Sequence, residues 1–197
     1  MTFKLGLTGS IGMGKSTTAQ MFVDEGCVLW DADAAVHRLY AKGGAAVEPI
    51  SKRFPGAIAD NAVSRERLKA MIANDPAILG RIEQIVHPLV AEDRRAFLND
   101  TTADIAVLDI PLLFETGGDL YVDAVACVTV SPEIQRKRVL ERANMTAAQF
   151  EAIMAKQMPD AEKRKRSDYI IETDTLEHAR EQVKSVVNDI RGGLNHA

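Results

Sequence analysis

Cysteine is scarce: Cys27 and Cys127 are the only two in 197 residues. Each sits in its own apolar run, with no C-x-x-C and no paired histidine spacing. A disulfide-stapled scaffold and a cysteine-rich metal site are thereby excluded, and both read as buried thiols in a reducing compartment. No stretch approaches the ~18 consecutive apolar residues of a membrane span, so no membrane partner is expected. A basic leader followed by an apolar segment is also missing ahead of the first strand, which makes the cytoplasm the expected location. Positive charge is not in excess either: 24 Lys and Arg against 28 Asp and Glu leave a net charge of −4. A broad nucleic-acid footprint is excluded, and any anion-binding charge must be local. Repeats and low-complexity segments do not occur. What is present is an ordinary globular composition, 46% hydrophobic and 26% charged, enough for one domain with a sizeable core.

Apolar strands alternate with helical periods, the pattern of a parallel sheet covered on both faces. Strands are predicted at Phe3–Leu7, Cys27–Trp30, Ile105–Leu108, Ala124–Val130 and Tyr169–Ile171. Each ends near polar residues, as strand tips around one ligand crevice do. The expected class is therefore α/β, with a five-stranded parallel sheet.

Two regions interrupt the alternation. Between Asp33 and Asp104 only helical patterns are found: Ala34–Ala41, Ala45–Phe54, Arg65–Ala73, Ala77–Val86 and Leu89–Leu98. Pro55-Gly56, Asn74-Asp75-Pro76 and His87-Pro88 punctuate them, with Ser64 and Asp75 as N-caps. This helical insertion, about residues 34–104, is either a cap over a large second substrate or reinforcement of the core. The other region opens at Ser131-Pro132, an N-cap followed by proline at the first helical position. Its helix carries Arg136, Lys137, Arg138 and Arg142 and is expected to close at Asn144; a second starts at Thr146, with Gln149 in capping-box register. Spanning about residues 131–160, the pair has the make-up of a lid, in which Arg138 and Arg142, one turn apart, can converge on one anion. For any one of these side chains a solvated helix face is the plainer reading. The basic run Lys163–Arg166 is expected to be such a face.

The chemistry concentrates in Gly9-Ser10-Ile11-Gly12-Met13-Gly14-Lys15-Ser16-Thr17, which fits the phosphate-loop pattern G-x-x-x-x-G-K-[ST] between a strand and a helix. Glycines let backbone N–H groups close on phosphate oxygens, and the following helix aims its positive end at the same anion. Lys15 adds a mobile charge for the terminal phosphates, and the Ser16 hydroxyl can complete a Mg²⁺ shell. A GTP switch would need D-x-x-G after the third strand and an N/T-K-x-D base reader. The only D-x-x-G is Asp189–Gly192, far from there, and the second motif does not occur. A motor or transporter ATPase needs a larger core, so small-molecule phosphotransfer remains. Such a reaction needs a carboxylate for the acceptor hydroxyl. Asp31 and Asp33 leave the second strand together, so one can take the hydroxyl while the other helps with metal or substrate. The plainer role for Asp33 is an N-cap of the next helix. Asp109 is either a metal-side aspartate or the turn residue before Pro111.

With these go I-V-H-P-L at Ile85–Leu89, I-P-L-L-F-E at Ile110–Glu115, Q-R-K-R-V-L-E-R at Gln135–Arg142, Gln157 and S-D-Y-I-I at Ser167–Ile171. In this order, with D-A-D at Asp31–Asp33, the set resembles dephospho-coenzyme A kinase over nearly the whole chain. The resemblance implies a P-loop NTPase-type three-layer fold and transfer of the ATP γ-phosphoryl group to the ribose 3′-hydroxyl of dephospho-CoA. It further implies Asp33 as general base, His87, Pro88, Leu112, Leu113 and Glu115 facing the acceptor, Arg138 and Arg142 near the transferred phosphate, and the insertion as the CoA-binding cap. ATP, Mg²⁺ and dephospho-CoA are the expected ligands, and a monomer or weak homo-oligomer the expected state. Two departures stand out. Ser10 occupies a position that is commonly glycine, with little consequence expected of so small a side chain. Glu172-Thr173-Asp174-Thr175 stands where the family often has an asparagine and a glycine near the adenine.

Overall fold

A computed structural model describes residues 2–143 and 145–194. In chain order the elements are β1 (Phe3–Thr8), α1 (Lys15–Asp24), β2 (Val28–Asp31), α2 (Ala32–Tyr40), α3 (Val47–Arg53), β3 (Ile58–Ala59), β4 (Ala62–Val63), α4 (Arg65–Asn74) and α5 (Ala77–Asp100). There follow β5 (Ile105–Asp109), β6 (Ala124–Thr129), α6 (Pro132–Leu140), α7 (Ala147–Met154), α8 (Asp160–Lys165), β7 (Tyr169–Glu172) and α9 (Leu176–Leu194). They form two compact units, one of residues 1–30 with 101–197 and one of residues 31–100.

The first unit holds the sheet, in the order β2-β5-β1-β6-β7. The central strand β1 is parallel to both neighbours, with Leu5 opposite Val107 of β5 and Leu7 opposite Ala126 of β6. Period-2 alternation sends Leu5, Leu7, Ile105, Val107, Ala126 and Val128 to one face. There they pack with Ala19 and Phe22 of α1 and with Ala179, Val183, Val187 and Ile190 of α9. On the opposite face the Leu113 side chain lies close over β1: a Cβ on Gly6 would come within 2.9 Å of it. Leu113, Phe114 and Val125 make a separate cluster, with Leu113 fully buried. Helix α7 opens on the expected capping box, with Thr146 and Gln149 bonded reciprocally. Helix α6 stops at Leu140 rather than running through Arg142, and Asn144, its expected terminus, lies outside the described residues.

The second unit closes its own core around Leu39, Ile50, Phe54, Val63, Leu68, Ile82 and Val86. Ser64 caps α4, accepting from the Arg67 N–H, and Asp75 accepts from the Ala77 N–H at 3.0 Å. Two expectations are corrected here. A small antiparallel hairpin, β3–β4, occurs where only helices were predicted. Its turn residues Asp60 and Asn61 take φ of 51° and 61°, the left-handed conformation that Asp and Asn tolerate in two-residue hairpin turns. The other correction concerns His87-Pro88, which does not end a helix: α5 runs unbroken through Pro88. Pro88 and Gln84, whose carbonyl loses its donor, both lie on the exposed side, where water can serve that carbonyl. Ile82 and Val86 hold the buried side to the core.

Candidate active site

The phosphate loop leaves β1 and enters α1 with Gly12 and Gly14 at φ of 80° and 89°. A side chain is strained at such angles, and a Cβ on Gly12 would also lie 2.4 Å from a methyl of Val139. Met13, almost fully buried in the core, anchors the loop from below. Its N–H donates to the Ser10 carbonyl at 3.2 Å. Two glutamines hold Ile11: its N–H donates to Gln157 Oε1 at 3.2 Å, and its carbonyl accepts from Gln135 Nε2 at 2.8 Å. Among the described residues the N–H groups of Gly12 and Gly14 have no protein acceptor. They stand at the start of α1, where its positive end lies. The Ser10 hydroxyl is buried and, among the described residues, has no hydrogen-bond partner. Serine at this position therefore carries a desolvation cost that its size alone does not suggest.

Lys15 donates to Asp109 Oδ1 at the tip of β5, so the lysine is set against a carboxylate that is itself almost fully buried. Ser16 and Thr17, on the first turn of α1, are exposed. Above the loop lies a cavity of about 240 Å³, lined by Gly12, Gly14, Thr17, Arg138, Arg142, Thr173 and Leu176, among others. Arg138, on α6, and Arg142, in the turn beyond it, thus meet at one pocket. Thr173, on the exit from β7, is buried there and bonds to both the loop and Arg138.

In the second unit, Asp31 rather than Asp33 caps α2, accepting from the Ala34 N–H at 2.9 Å. That corrects the plainer expectation for Asp33, which lies exposed on the first turn with no side-chain hydrogen bond among the described residues. His87 and Pro88 are exposed on α5.

The segment after β5 differs from expectation. Leu112 is 41% exposed, whereas the Leu113 side chain is enclosed in the core and has no surface to offer a ligand. Glu115 accepts from the Met158 N–H at 2.8 Å and pairs with Lys163 at 3.0 Å. Burial alone would raise its pKa; the Met158 N–H and the Lys163 ammonium outweigh this and hold it below the usual carboxylate value. Lys163 is fully buried and also donates to the Pro111 carbonyl at 3.2 Å. This corrects the solvated-face expectation for Lys163: helix α8 turns one lysine of its basic run inward. Sequence reasoning assigned no role to Thr173, Gln135 or Gln157. Their only signals were in the motif set: Gln135 and Gln157 belong to the segments that carry the resemblance, and Thr173 to the departure from it.

Comparison with known proteins settles the family. A family model described as dephospho-CoA kinase matches residues 3–178. Over all 197 residues the chain is 68% identical to the dephospho-CoA kinase of Ruegeria pomeroyi, covering both sequences completely. The chain belongs to the dephospho-CoA kinase family. The dephospho-CoA kinase of Cereibacter sphaeroides is 57% identical over 189 residues, 96% of each chain. Among solved structures, TT1252 from Thermus thermophilus matches with a TM-score of 0.85 at 30% identity, over 95% of this chain and 97% of that one. Dephospho-CoA kinase from Campylobacter jejuni matches with a TM-score of 0.71 at 23% identity, over 98% and 99%, which speaks for the fold. As a member of this family the chain is a kinase with a P-loop α/β fold, and ATP is its phosphoryl donor. No helix among the described residues is long and apolar enough to cross a membrane.

Proposed function

We propose that the protein transfers the γ-phosphoryl group of ATP to the ribose 3′-hydroxyl of dephospho-CoA, giving coenzyme A and ADP. The observation that carries this reading is that the phosphate loop and two arginines line a single cavity. The family supplies the acceptor. Phosphoryl transfer asks little covalent chemistry of a protein; catalysis is positioning and charge stabilisation. The amides of residues 9–17 and Lys15 hold the triphosphate, with Lys15 exchanging Asp109 for the phosphate oxygens. Arg138 and Arg142 meet the charge of the transferring group, and the segment 131–160 acts as a lid that excludes water and limits wasteful hydrolysis.

Asp33 is the general base. Asp31 satisfies the helix end, so the Asp33 carboxylate is left over for the acceptor hydroxyl. The helical insertion, about residues 34–104, is the CoA-binding cap, and His87, Pro88 and Leu112 are among the groups that meet the acceptor. Glu115 serves there through its ion pair, by fixing the segment that carries Leu112.

Among the described residues no cluster of three or more His, Cys, Asp or Glu forms a ready cation site. A hard cation carried in with the triphosphate needs only a few protein oxygens. The exposed Ser16 hydroxyl and the Asp109 carboxylate beside Lys15 are of that kind and fit Mg²⁺. Bound there, Mg²⁺ would neutralise charge on the β- and γ-phosphates.

The expected state is a monomer or weak homo-oligomer. The buried thiols Cys27 and Cys127, both pushed up to about 11 by burial, suit a reducing cytoplasm. A coupled assay of ADP release with Mg·ATP tests the reading. Release should depend on added dephospho-CoA, and equal release with a nucleoside or a nucleoside monophosphate in its place would assign another acceptor.

A further inference from the structure

Arg138 is not a loose charge at the mouth of the pocket. Its Nη1 donates to Thr173 Oγ1 at 2.9 Å and its Nη2 to the Thr173 carbonyl at 2.6 Å, so one residue receives both prongs of the guanidinium fork. The Thr173 hydroxyl has a single proton, and its nearest acceptor is the Met13 carbonyl of the phosphate loop at 2.7 Å; the Thr129 carbonyl is farther, at 3.4 Å. Thr173 itself is 7% exposed. A chain of hydrogen bonds therefore runs from arginine to threonine hydroxyl to loop carbonyl. The threonine also packs under the loop: a Cβ on Gly14 would come within 3.2 Å of its Oγ1. A guanidinium has five N–H donors, and the two spent on Thr173 leave three for an anion.

We propose that Thr173 is a positioning residue for phosphoryl transfer: it fixes Arg138 at the nucleotide pocket and ties that position to the conformation of the phosphate loop. This rests on the assignment of Arg138 to the transferring phosphate made above. Long side chains lose rotamer freedom when they engage a ligand, and an arginine already held in place loses less. The benefit appears where geometry is most demanding, in the transition state. A valine at 173 keeps the shape and removes both hydroxyl bonds; a serine keeps the bonds.

The test is a kinetic cycle on the full-length enzyme with Mg·ATP and dephospho-CoA, using Arg138→Ala, Thr173→Val, Thr173→Ser and the Arg138→Ala/Thr173→Val double variant. Arg138→Ala should lower kcat about a hundredfold or more, and Thr173→Val about tenfold, with both KM values changed by less than about threefold. Thr173→Ser should restore kcat to within about twofold, and the double variant should be no slower than Arg138→Ala alone. If Thr173→Val slows the Arg138→Ala enzyme as much as it slows the wild type, threonine acts only on the loop and the proposal is overturned. Unchanged kcat in Thr173→Val beside a slow Arg138→Ala overturns it too. Full activity of Arg138→Ala would instead remove the assignment of Arg138 itself. Should Thr173→Val not fold, Thr173→Ala takes its place in the same cycle: an about tenfold loss of kcat that vanishes in the Arg138→Ala background supports the proposal, and a loss of the same size in both backgrounds overturns it.

Discussion

Asp33 owes its availability to its neighbour. The N-cap position of α2 is filled by Asp31, whose side chain accepts from the Ala34 N–H. In Asp33→Asn we therefore expect kcat to fall by about a hundredfold or more, the usual range for losing a general base. ATP affinity by calorimetry should stay within about twofold, and an unchanged kcat would remove Asp33 from the chemistry. The Glu115–Lys163 pair makes a prediction about stability. Glu115 is held below its ordinary value of 4.5, so the stability it contributes is fully present above that value and is lost as pH falls below it through the folded-state pKa. Melting temperatures of wild type and Glu115→Gln should thus differ at pH 7, and the gap should shrink progressively as pH falls below 4.5. A constant gap across that range would show that the carboxylate charge plays no part. The sequence showed Lys163 as one cation in the run Lys163–Arg166. Nothing in a basic run says which member faces inward; that depends on how α8 lies against Glu115 and Pro111.

The helices and strands that follow from local rules were legible in advance. The loop between β1 and α1, the Ser64 and Ser131 caps and the Thr146–Gln149 capping box are written in adjacent residues, and all are present. Helix α9, with Ala179, Val183, Val187 and Ile190 buried along one face, was not among the expected elements, although its apolar period is as regular as theirs. Pro88 misled because proline is a reliable stop only where nothing else holds the helix. Here both flanks of α5 are fixed to one core, and tertiary packing overrides the local signal. Restoring the missing N–H should then help the fold: Pro88→Ala is expected to stabilise the protein by about 1–3 kcal/mol, read as a higher Tm. Because the proposed acceptor contacts lie beside Pro88, KM for dephospho-CoA should rise. A lower Tm would mean that the proline conformation is itself required by the core.

In the molecule as a whole, the parallel sheet brings together at one pocket groups that are far apart in sequence. Met13 and Thr173 are 160 residues apart along the chain yet joined by one hydrogen bond. The phosphate loop, Arg138 and Arg142 were visible as motif and spacing. Thr173, Gln135 and Gln157 were visible only as members of the motif set or of its departure; their roles were not, because these exist only once β7, α6 and the turn after α7 converge on the loop. The central claim is that this loop holds a triphosphate and delivers its terminal phosphoryl group to one hydroxyl of a nucleotide-bearing acceptor. The most direct measurement follows the atoms: ATP labelled with ¹⁸O in its γ-phosphoryl group is incubated with the enzyme, Mg²⁺ and dephospho-CoA, and the product is read by mass spectrometry and phosphorus NMR. The account predicts a single new monoester on the ribose 3′-oxygen that carries the label. Label found only in inorganic phosphate, or on another hydroxyl, would contradict it.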